Sequence, residues 1–182
     1  IGLEDHKGGY LITKYLLENG HRDIAFVSDM ENPIGVDAYR LAGHQQALAE
    51  AGIPWNPKHH IATPKMRRER EKINHALVGR INNPFTAIMF CSDFYATEAM
   101  HDLQGCGLQI PRDVSITGFD DNLLAQLSHP RLSTVHQSVF DKAEQAIKLL
   151  LNVVQNPDMP PQNIILPVRL VPGASVHSLN LG

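Results

Sequence analysis

The sequence predicts an α/β fold in which a parallel sheet is sandwiched by helices. Short, mostly apolar segments alternate with longer segments whose apolar residues recur at helical spacing. Strands that are apolar along their length are typical of parallel sheets covered on both faces, and the intervening helices supply that cover. Serine and aspartate residues also follow several apolar segments, which is where ligands bind in sheets of this kind.

Each element is assigned from its own pattern. A helix is predicted where apolar residues recur every three or four positions, and a glycine ends several of these patterns. The predicted helices span 8–20, 35–52, 67–82, 93–107, 122–127 and 139–156. Strands are predicted for the apolar runs at 23–29, 59–63, 85–91 and 113–119, for an extended stretch at 132–138, and within 162–175.

Composition places the chain among soluble globular proteins, with 43% hydrophobic and 19% charged residues. The net charge of -3 argues against a nucleic-acid surface, and glutamates interrupt the basic run at 65–72, which predicts a solvated helix face. No apolar run approaches the roughly 18 residues of a membrane span, so no membrane partner is expected. Cys91 and Cys106 form no disulfide framework, which favours a cytoplasmic location.

The sequence lacks the common motifs for catalysis and cofactor binding. It has no Gly-x-Ser-x-Gly nucleophile turn, no phosphate-binding loop and no Gly-x-Gly-x-x-Gly. Its histidines are scattered without the spacing of metal ligands. We therefore expect no enzyme, no metal and no cofactor.

Three aspartates at strand ends leave alternatives open. Asp93, Asp120 and Asp121 could hold magnesium for a metal-assisted hydrolase. Asp93 and Asp121 each precede a predicted helix, however, and an N-cap there would contribute roughly 0.5–2 kcal/mol. Asp120 comes too early to cap, but with Arg40 on a helix and Ser92 after another strand it could hydrogen-bond the hydroxyl groups of a polyol.

Five short motifs carry a resemblance to a known family. Gly-His-Arg precedes a strand, Arg-x-x-Gly lies on a helix, and Pro-x-Asp-Val-Ser, Gly-Phe-Asp-Asp and Leu-Ser-Thr-Val follow. Together they resemble the LacI/GalR family of bacterial transcription regulators, whose effector domain has two α/β lobes joined by three crossings, as in periplasmic sugar-binding proteins. The resemblance implies a crossover segment at 1–5, the carboxy-terminal lobe at 6–131, a segment of the amino-terminal lobe at 132–160, and a return to the carboxy-terminal lobe at 161–182.

The resemblance also implies an effector site. Arg40 corresponds to the principal effector-binding arginine and Asp120 to the acid that faces it. Ser92 stands where many members have asparagine, and a serine can still donate and accept but reaches less far.

Three further positions of the implied pocket are less polar than in some relatives. Met66 falls where several members have an aromatic ring that stacks on the ligand, so stacking on a hexose is not expected. Ile34 and Val36 fall near effector-facing positions that are polar in some members, which implies a pocket less polar than a purine or phosphosugar site. The implied dimer face comprises Tyr95, Thr97, Met100, Leu124, Leu127 and Ser128.

These features predict the effector-binding and dimerisation domain of a LacI/GalR-like regulator. Its expected partners are a small effector (a sugar, a sugar-like molecule or a nucleoside) and a second copy of the chain. Operator DNA would be bound only through a headpiece absent from this chain. Two alternatives stay open, a periplasmic sugar-binding protein of a transporter and the hydrolase described above.

Overall fold

The computed structural model describes residues 1–81 and 85–179 and has the predicted α/β architecture. The ends of the predicted helix at 67–82 and of the predicted segment at 161–182 lie outside the described residues. The helices are α1 (Asp5–Glu18), α2 (Gly35–Glu50), α3 (Arg67–Val78), α4 (Asp93–Gly105), α5 (Leu123–Leu127) and α6 (Val139–Gln155). The strands are β1 (Gly2–Leu3), β2 (Ile24–Ser28), β3 (His60–Ala62), β4 (Ala87–Phe90), β5 (Ser115–Thr117), β6 (Thr134–His136), β7 (Ile165–Leu166) and β8 (Arg169–Val171).

A central sheet of parallel strands has the order β3-β2-β4-β5. In its middle, Phe26 of β2 pairs with His60 of β3 on one side and with Met89 of β4 on the other. Every residue of β2 and β4 is buried, as expected for strands covered on both faces. The continuous apolar runs of the sequence therefore form the centre of the sheet.

Alternate residues of β2 contribute to two separate cores. Ile24 and Phe26 lie in one apolar cluster with residues of α1 and α2. Ala25 and Val27 lie in a second cluster with residues of α3 and α4. Because successive side chains of a strand point to opposite faces, the layers are α1 and α2, then the sheet, then α3 and α4.

Glycines allow α1 and α2 to approach closely. A Cβ atom at Gly43 would lie 1.9 Å from the carbonyl oxygen of His6, and one at Gly9 would lie 2.1 Å from the carbonyl oxygen of Arg40. No larger residue fits at either position without separating the helices. The contact holds Arg40 against the start of α1.

Ion pairs join α3 to α4 on the opposite face. Arg67 contacts Asp102 through Nη1–Oδ2 and Nη2–Oδ1 distances of 3.1 and 2.5 Å. Arg70, only 6% exposed, contacts Glu98 through Nε–Oε2 and Nη2–Oε1 distances of 2.5 and 3.0 Å. The prediction of a solvated face at 65–72 is wrong for Arg70, which is buried and pairs with Glu98 of α4. Arg67 is exposed, as predicted, although it pairs with Asp102.

The N-cap of α4 is Ser92 rather than Asp93. Ser92 Oγ accepts a hydrogen bond from the Phe94 backbone N–H at 3.2 Å. Asp93 is fully buried and accepts hydrogen bonds from Thr134 Oγ1 at 2.6 Å and from the Asn122 backbone N–H at 3.0 Å. This carboxylate therefore joins α4 to the loop after β5 and to β6.

The N-cap of α5 is Asn122 rather than Asp121. Asn122 Oδ1 accepts from the backbone N–H of Leu124 at 2.9 Å. Asp121 instead contacts His136 Nδ1 through Oδ2 at 2.9 Å and adopts a positive φ of 55°. Both aspartates predicted to cap helices are thus used in tertiary contacts.

The segment before α6 belongs to the core of this lobe. Strand β6 pairs antiparallel with β8, and Leu132 and Val135 are fully buried in the two cores. Further along, the Ile116 backbone N–H donates to the Ser175 carbonyl at 2.9 Å, so residues after β8 lie beside β5. Residues 132–136 therefore pack here, although they lie in the segment that the resemblance implies for the other lobe.

Helix α6 lacks any buried residue. Its side chains include Phe140, which is 90% exposed, and Val154, which is 69% exposed. The predicted helix is present, but the sheet that would cover its apolar side is not among the described residues. The exposed large apolar residues of α6 are Val139, Phe140, Ile147, Leu150, Leu151, Val153 and Val154.

In the described part of the chain, no helix combines the length and the apolar composition that crossing a bilayer requires.

Candidate functional site

The predicted site residues lie at the carboxyl edge of the central sheet. Ser92 and Asp120 follow β4 and β5, Met66 follows β3, and Ile34 and Val36 lie where the loop after β2 enters α2. The carboxyl ends of parallel strands meet at one edge, so the fold gathers these loops together.

Arg40 is the most constrained of these side chains. It is 6% exposed, and its Nη1 donates to the Cys91 carbonyl at 2.5 Å. Its Nε and Nη2 contact Asp5 Oδ1 at 2.8 and 2.7 Å. Its guanidinium carbon lies 3.6 Å from the centre of the Phe119 ring. A cation this enclosed is held in one orientation by three elements of the fold.

Asp120 is joined to two polar neighbours. Its Oδ2 lies 3.4 Å from Ser92 Oγ, and its Oδ1 accepts a hydrogen bond from Gln137 Nε2. The backbone N–H of Asp120 donates to the Val135 carbonyl at 2.9 Å, and its φ of 126° lies in a region that favours glycine. The acid is therefore attached to the segment that leads into α6.

Burial governs the protonation of Asp120. It raises the pKa of this carboxyl from 3.8 to about 6, the charge of Arg40 opposes the rise, and that of Asp93 adds to it. At neutral pH the group is mostly ionised and can accept two hydrogen bonds from a ligand.

The structure brings together Arg40, Ser92 and Asp120, with one change to the expected pairing. The resemblance implies that Asp120 faces Arg40, whereas the direct ion pair of Arg40 is with Asp5. Arg40 is still near enough for its charge to lower the pKa of Asp120. Arg40 therefore pairs with Asp5, while its charge also acts on Asp120.

The three apolar site candidates are more exposed to solvent than Arg40, Ser92 and Asp120. Met66 is 66% exposed, Ile34 69% and Val36 49%. Val36 also lines a shallow cleft of about 370 Å³ with Asp5 and Ile165, near the paired strands β1 and β7. These side chains offer apolar surface to a ligand, but no described contact fixes them.

Sequence reasoning missed three polar residues of the site, namely Asp5, Asp37 and Gln137. Asp5 pairs with Arg40 from 35 residues away, and Gln137 reaches Asp120 from 17 residues away. Asp37 accepts a hydrogen bond from the Asp29 backbone N–H at 3.3 Å and lies beside the buried Cys91 thiol. Asp37 could have been found, because it lies one turn before Arg40 on the same face of α2.

Five of the six predicted dimer residues line one groove between α4 and α5. The groove has a volume of about 310 Å³, and its lining includes the exposed side chains of Leu124 and Leu127. Tyr95 is the exception, because its ring lies 5.3 Å from the Arg70 guanidinium. The five residues that share the groove are Thr97, Met100, Leu124, Leu127 and Ser128.

The arrangement of the described side chains does not favour metal binding. Within residues 1–81 and 85–179, no group of three or more histidine, cysteine or acidic side chains could hold a metal ion. Asp93, the central acid of the hydrolase alternative, is fully buried beneath Thr134.

The layered parallel sheet with its polar carboxyl edge defines a ligand-binding lobe. The family described as periplasmic binding protein-like domain matches residues 13–176, and the chain belongs to this family. The predicted fold class is therefore confirmed.

Two relatives of known function show which kind of protein in this family the chain resembles. The ribose operon repressor of Haemophilus influenzae is 35% identical over 94% of this chain and 51% of its own length. The regulator GalR of Escherichia coli is 33% identical over 100% of this chain and 52% of its own length. This chain therefore spans about half the length of the curated relatives it matches. The resemblance to LacI/GalR regulators is confirmed, and these relatives are transcription regulators rather than enzymes.

A solved structure supports the same assignment. The LacI-family regulator of Enterococcus faecium, crystallised with bound ribose, superimposes with a TM-score of 0.89 at 30% identity. The match covers 97% of this chain and 65% of that chain. These comparisons favour the regulator over the transporter protein and over the hydrolase.

Proposed function

We propose that this chain binds a small sugar-like effector for a LacI/GalR-family transcription regulator. The observation that carries the proposal is the group formed by Arg40, Ser92 and Asp120 at the carboxyl edge of the sheet. Ribose in the related Enterococcus faecium structure and the ribose repressor among the relatives support a sugar-like effector.

The chemistry of the group suits hydroxyl ligands. The ionised Asp120 accepts from two hydroxyl groups, and Ser92 both donates and accepts. Arg40 is held in one orientation by Asp5 and by the Cys91 carbonyl, and it supplies positive potential to the site. The exposed Met66 gives an apolar surface against which a sugar ring can lie.

The proposed pocket is completed by a second lobe. We assign 1–5 to the crossover, 6–136 and 161–182 to this lobe, and 137–160 to the amino-terminal lobe, instead of the 132–160 that the resemblance implies. Because β6 packs on this lobe, the boundary lies close to the start of α6. The exposed apolar side of α6 supports the assignment of this helix to the other lobe.

The proposed regulator acts on DNA from the cytoplasm as a homodimer. The groove between α4 and α5 is the proposed dimer face, and operator DNA is bound by a headpiece outside this chain. An effector that prefers one arrangement of the lobes shifts the population towards it. A tenfold change in DNA affinity needs about 1.4 kcal/mol of such coupling.

The test uses full-length protein carrying Arg40→Ala or Asp120→Ala. We expect both variants to bind operator DNA normally, as measured by fluorescence anisotropy. The change in operator affinity that the effector causes should be at least tenfold smaller than in the wild type. Arg112→Ala is the matched control, because Arg112 is exposed and, among the described residues, forms its ion pair with its neighbour Asp113.

Arg40→Ala also leaves Asp5 buried without its partner, so Ser92→Ala serves as a milder variant. It retains the backbone and removes one hydroxyl group from the site. A normal effector response in both Asp120→Ala and Ser92→Ala would contradict the site assignment.

A further inference from the structure

The chain segment that leads into α6 is hydrogen-bonded to the residues that follow β5. The backbone N–H of Asp120 donates to the Val135 carbonyl at 2.9 Å, and the backbone N–H of Gln137 donates to the Asp120 carbonyl at 3.4 Å. Asp120 and His136 are paired in parallel register. The backbone of Asp120 is therefore attached, on both sides of His136, to the segment that leaves this lobe.

Side chains of the same two segments form a second set of contacts. Gln137 Nε2 donates to Asp120 Oδ1, and His136 Nδ1 donates to Asp121 Oδ2 at 2.9 Å. The side chain of Asp121 is 9% exposed, and among the described residues its Oδ1 is buried without a hydrogen-bond partner. The hydrogen bond from His136 thus satisfies a carboxylate that is costly to bury without a donor.

The turn between β5 and α5 requires such contacts. Asp120 has a φ of 126° and Asp121 a φ of 55°, two successive values in the region that favours glycine. Residues other than glycine hold these angles only where surrounding contacts enforce them. His136 and Gln137 supply two of the contacts that hold this turn.

The same contacts fix the point at which the chain leaves this lobe. Ser138, two residues after His136, is the N-cap of α6, and its Oγ accepts from the Asp141 backbone N–H at 3.1 Å. Helix α6 itself has no buried residue in the described structure, so side-chain burial does not hold it on this lobe. The start of α6 is therefore positioned through the attachment of His136 and Gln137.

We infer that His136 is a positioning residue which, through Asp121, fixes the arrangement of the proposed amino-terminal lobe in protein without effector. His136 contacts Asp121 rather than the effector. Because Asp121 follows Asp120, a single turn carries both the proposed effector contact and the attachment of the segment that crosses to the other lobe. The inference rests on the proposed function, since it requires the second lobe.

The first experiment measures the operator affinity of full-length protein by fluorescence anisotropy with no sugar present. His136→Leu keeps a side chain of similar size but removes the donor to Asp121. We expect its operator affinity to change by about threefold or more, in one direction or the other, because the released segment lets a second lobe arrangement become populated. His136→Asn places an amide N–H near the position of Nδ1 and should restore the wild-type affinity.

Ser133→Ala is the matched control on the same segment. Ser133 Oγ accepts from the Gly173 backbone N–H at 3.0 Å, so alanine removes one hydrogen bond of the segment and leaves the pair of Asp121 and His136 in place. We expect lower stability but wild-type operator affinity. An equal change in affinity in Ser133→Ala and His136→Leu would overturn the inference, because it would reflect general loosening of the segment.

The second experiment follows amide hydrogen exchange in the same proteins without DNA or sugar. The amides of Asp120 and Gln137 should exchange several-fold faster in His136→Leu and at wild-type rates in His136→Asn. Exchange in α1 should be equal in all variants. Faster exchange throughout the protein, or unchanged exchange at positions 120 and 137, would overturn the inference.

A double substitution tests whether the two residues act as a pair. Asp121→Gly removes the carboxyl group, and glycine adopts a φ of 55° without strain. It should change operator affinity in the same direction as His136→Leu, and the double variant should change it no further. Additive effects would overturn the inference. Should His136→Leu fail to fold, Asp121→Gly carries the same test, and wild-type affinity in that variant would overturn it.

The outcomes separate the two proposals. Wild-type operator affinity in both His136→Leu and Asp121→Gly, with the effector response lost in Asp120→Ala, overturns the role of His136 and leaves the proposed function standing. An effector response that persists in Asp120→Ala and Ser92→Ala overturns the proposed function itself. Because the measurements on His136 use no sugar, the two results are obtained independently.

Discussion

The α1–α2 pair and helix α6 show opposite relations between sequence pattern and burial. Helices α1 and α2 contain glycine, threonine and histidine at their contact, yet Gly9, Thr13 and His44 are buried. Helix α6 has a clear apolar stripe, and none of its residues is buried. Close packing here depends on small residues that let the two helix backbones approach, whereas an apolar stripe shows only that a helix requires a partner.

The largest expected effect comes from enlarging a contact glycine. Gly43→Ala places a Cβ 1.9 Å from the His6 carbonyl oxygen, so α1 and α2 must separate. We expect the free energy of unfolding, from urea denaturation, to fall by about 3 kcal/mol or more.

Gly105→Ala is the matched control for that change. Gly105 ends α4, and its added Cβ would meet no atom within 4 Å. Alanine there should be neutral or stabilising by up to about 1 kcal/mol. Equal losses in the two variants would show that the α1–α2 contact is less tight than described.

A smaller effect should appear as pH dependence of the same helix pair. His44 Nδ1 lies 2.8 Å from Thr13 Oγ1, Nε2 has no partner, and burial lowers the pKa of His44 from 6.5 to about 3. Because the unfolded chain binds the proton more readily, stability is fully present above pH 6.5 and is lost as the pH falls towards 3. The contribution of His44 should be about 2 kcal/mol smaller at pH 5 than at pH 8.

Two substitutions separate the contribution of His44 to the pH dependence from the contributions of other groups. His44→Gln should lower stability at pH 8 but reduce the difference between pH 8 and pH 5 by about 2 kcal/mol. His75→Gln, at an exposed position on α3, should retain the wild-type difference. An undiminished difference in His44→Gln would mean that other groups cause the acid sensitivity.

The smallest expected effect concerns α6. Leu150 is 62% exposed, so Leu150→Ala should change the unfolding free energy of this chain by less than about 0.5 kcal/mol. In full-length protein, where we propose that a second lobe covers this face, the same change should cost about 2 kcal/mol or more. Equal, small effects in both proteins would contradict the assignment of α6 to the other lobe.

Local pattern predicted most of the fold, because buried strands and amphipathic helices leave strong periodic signals. The helix predicted at 139–156 is observed as α6 (Val139–Gln155), and the run at 23–29 contains β2. The packing of β6 on β8 was harder to predict, because it depends on an antiparallel pairing between distant segments.

The site was predicted less completely than the fold. The family motifs predicted Arg40 and Asp120 as site residues, but their partners Asp5 and Gln137 come from distant positions that no local pattern connects. The N-caps of α4 and α5 were predicted wrongly for the same reason. Asp93 and Asp121 have suitable positions before their helices, yet Ser92 and Asn122 cap them, because both acids are engaged by β6.

Asp120 combines a cost in stability with its proposed role in the response to the effector. Its φ of 126° would suit glycine, and holding another residue there costs on the order of 1–3 kcal/mol. Its raised pKa, about 6, adds a second cost that grows as the pH rises through 6, when the buried carboxyl must ionise. Selection for heat resistance alone would therefore replace this aspartate; under the proposed function, the resulting protein would be more stable but would no longer respond to its effector.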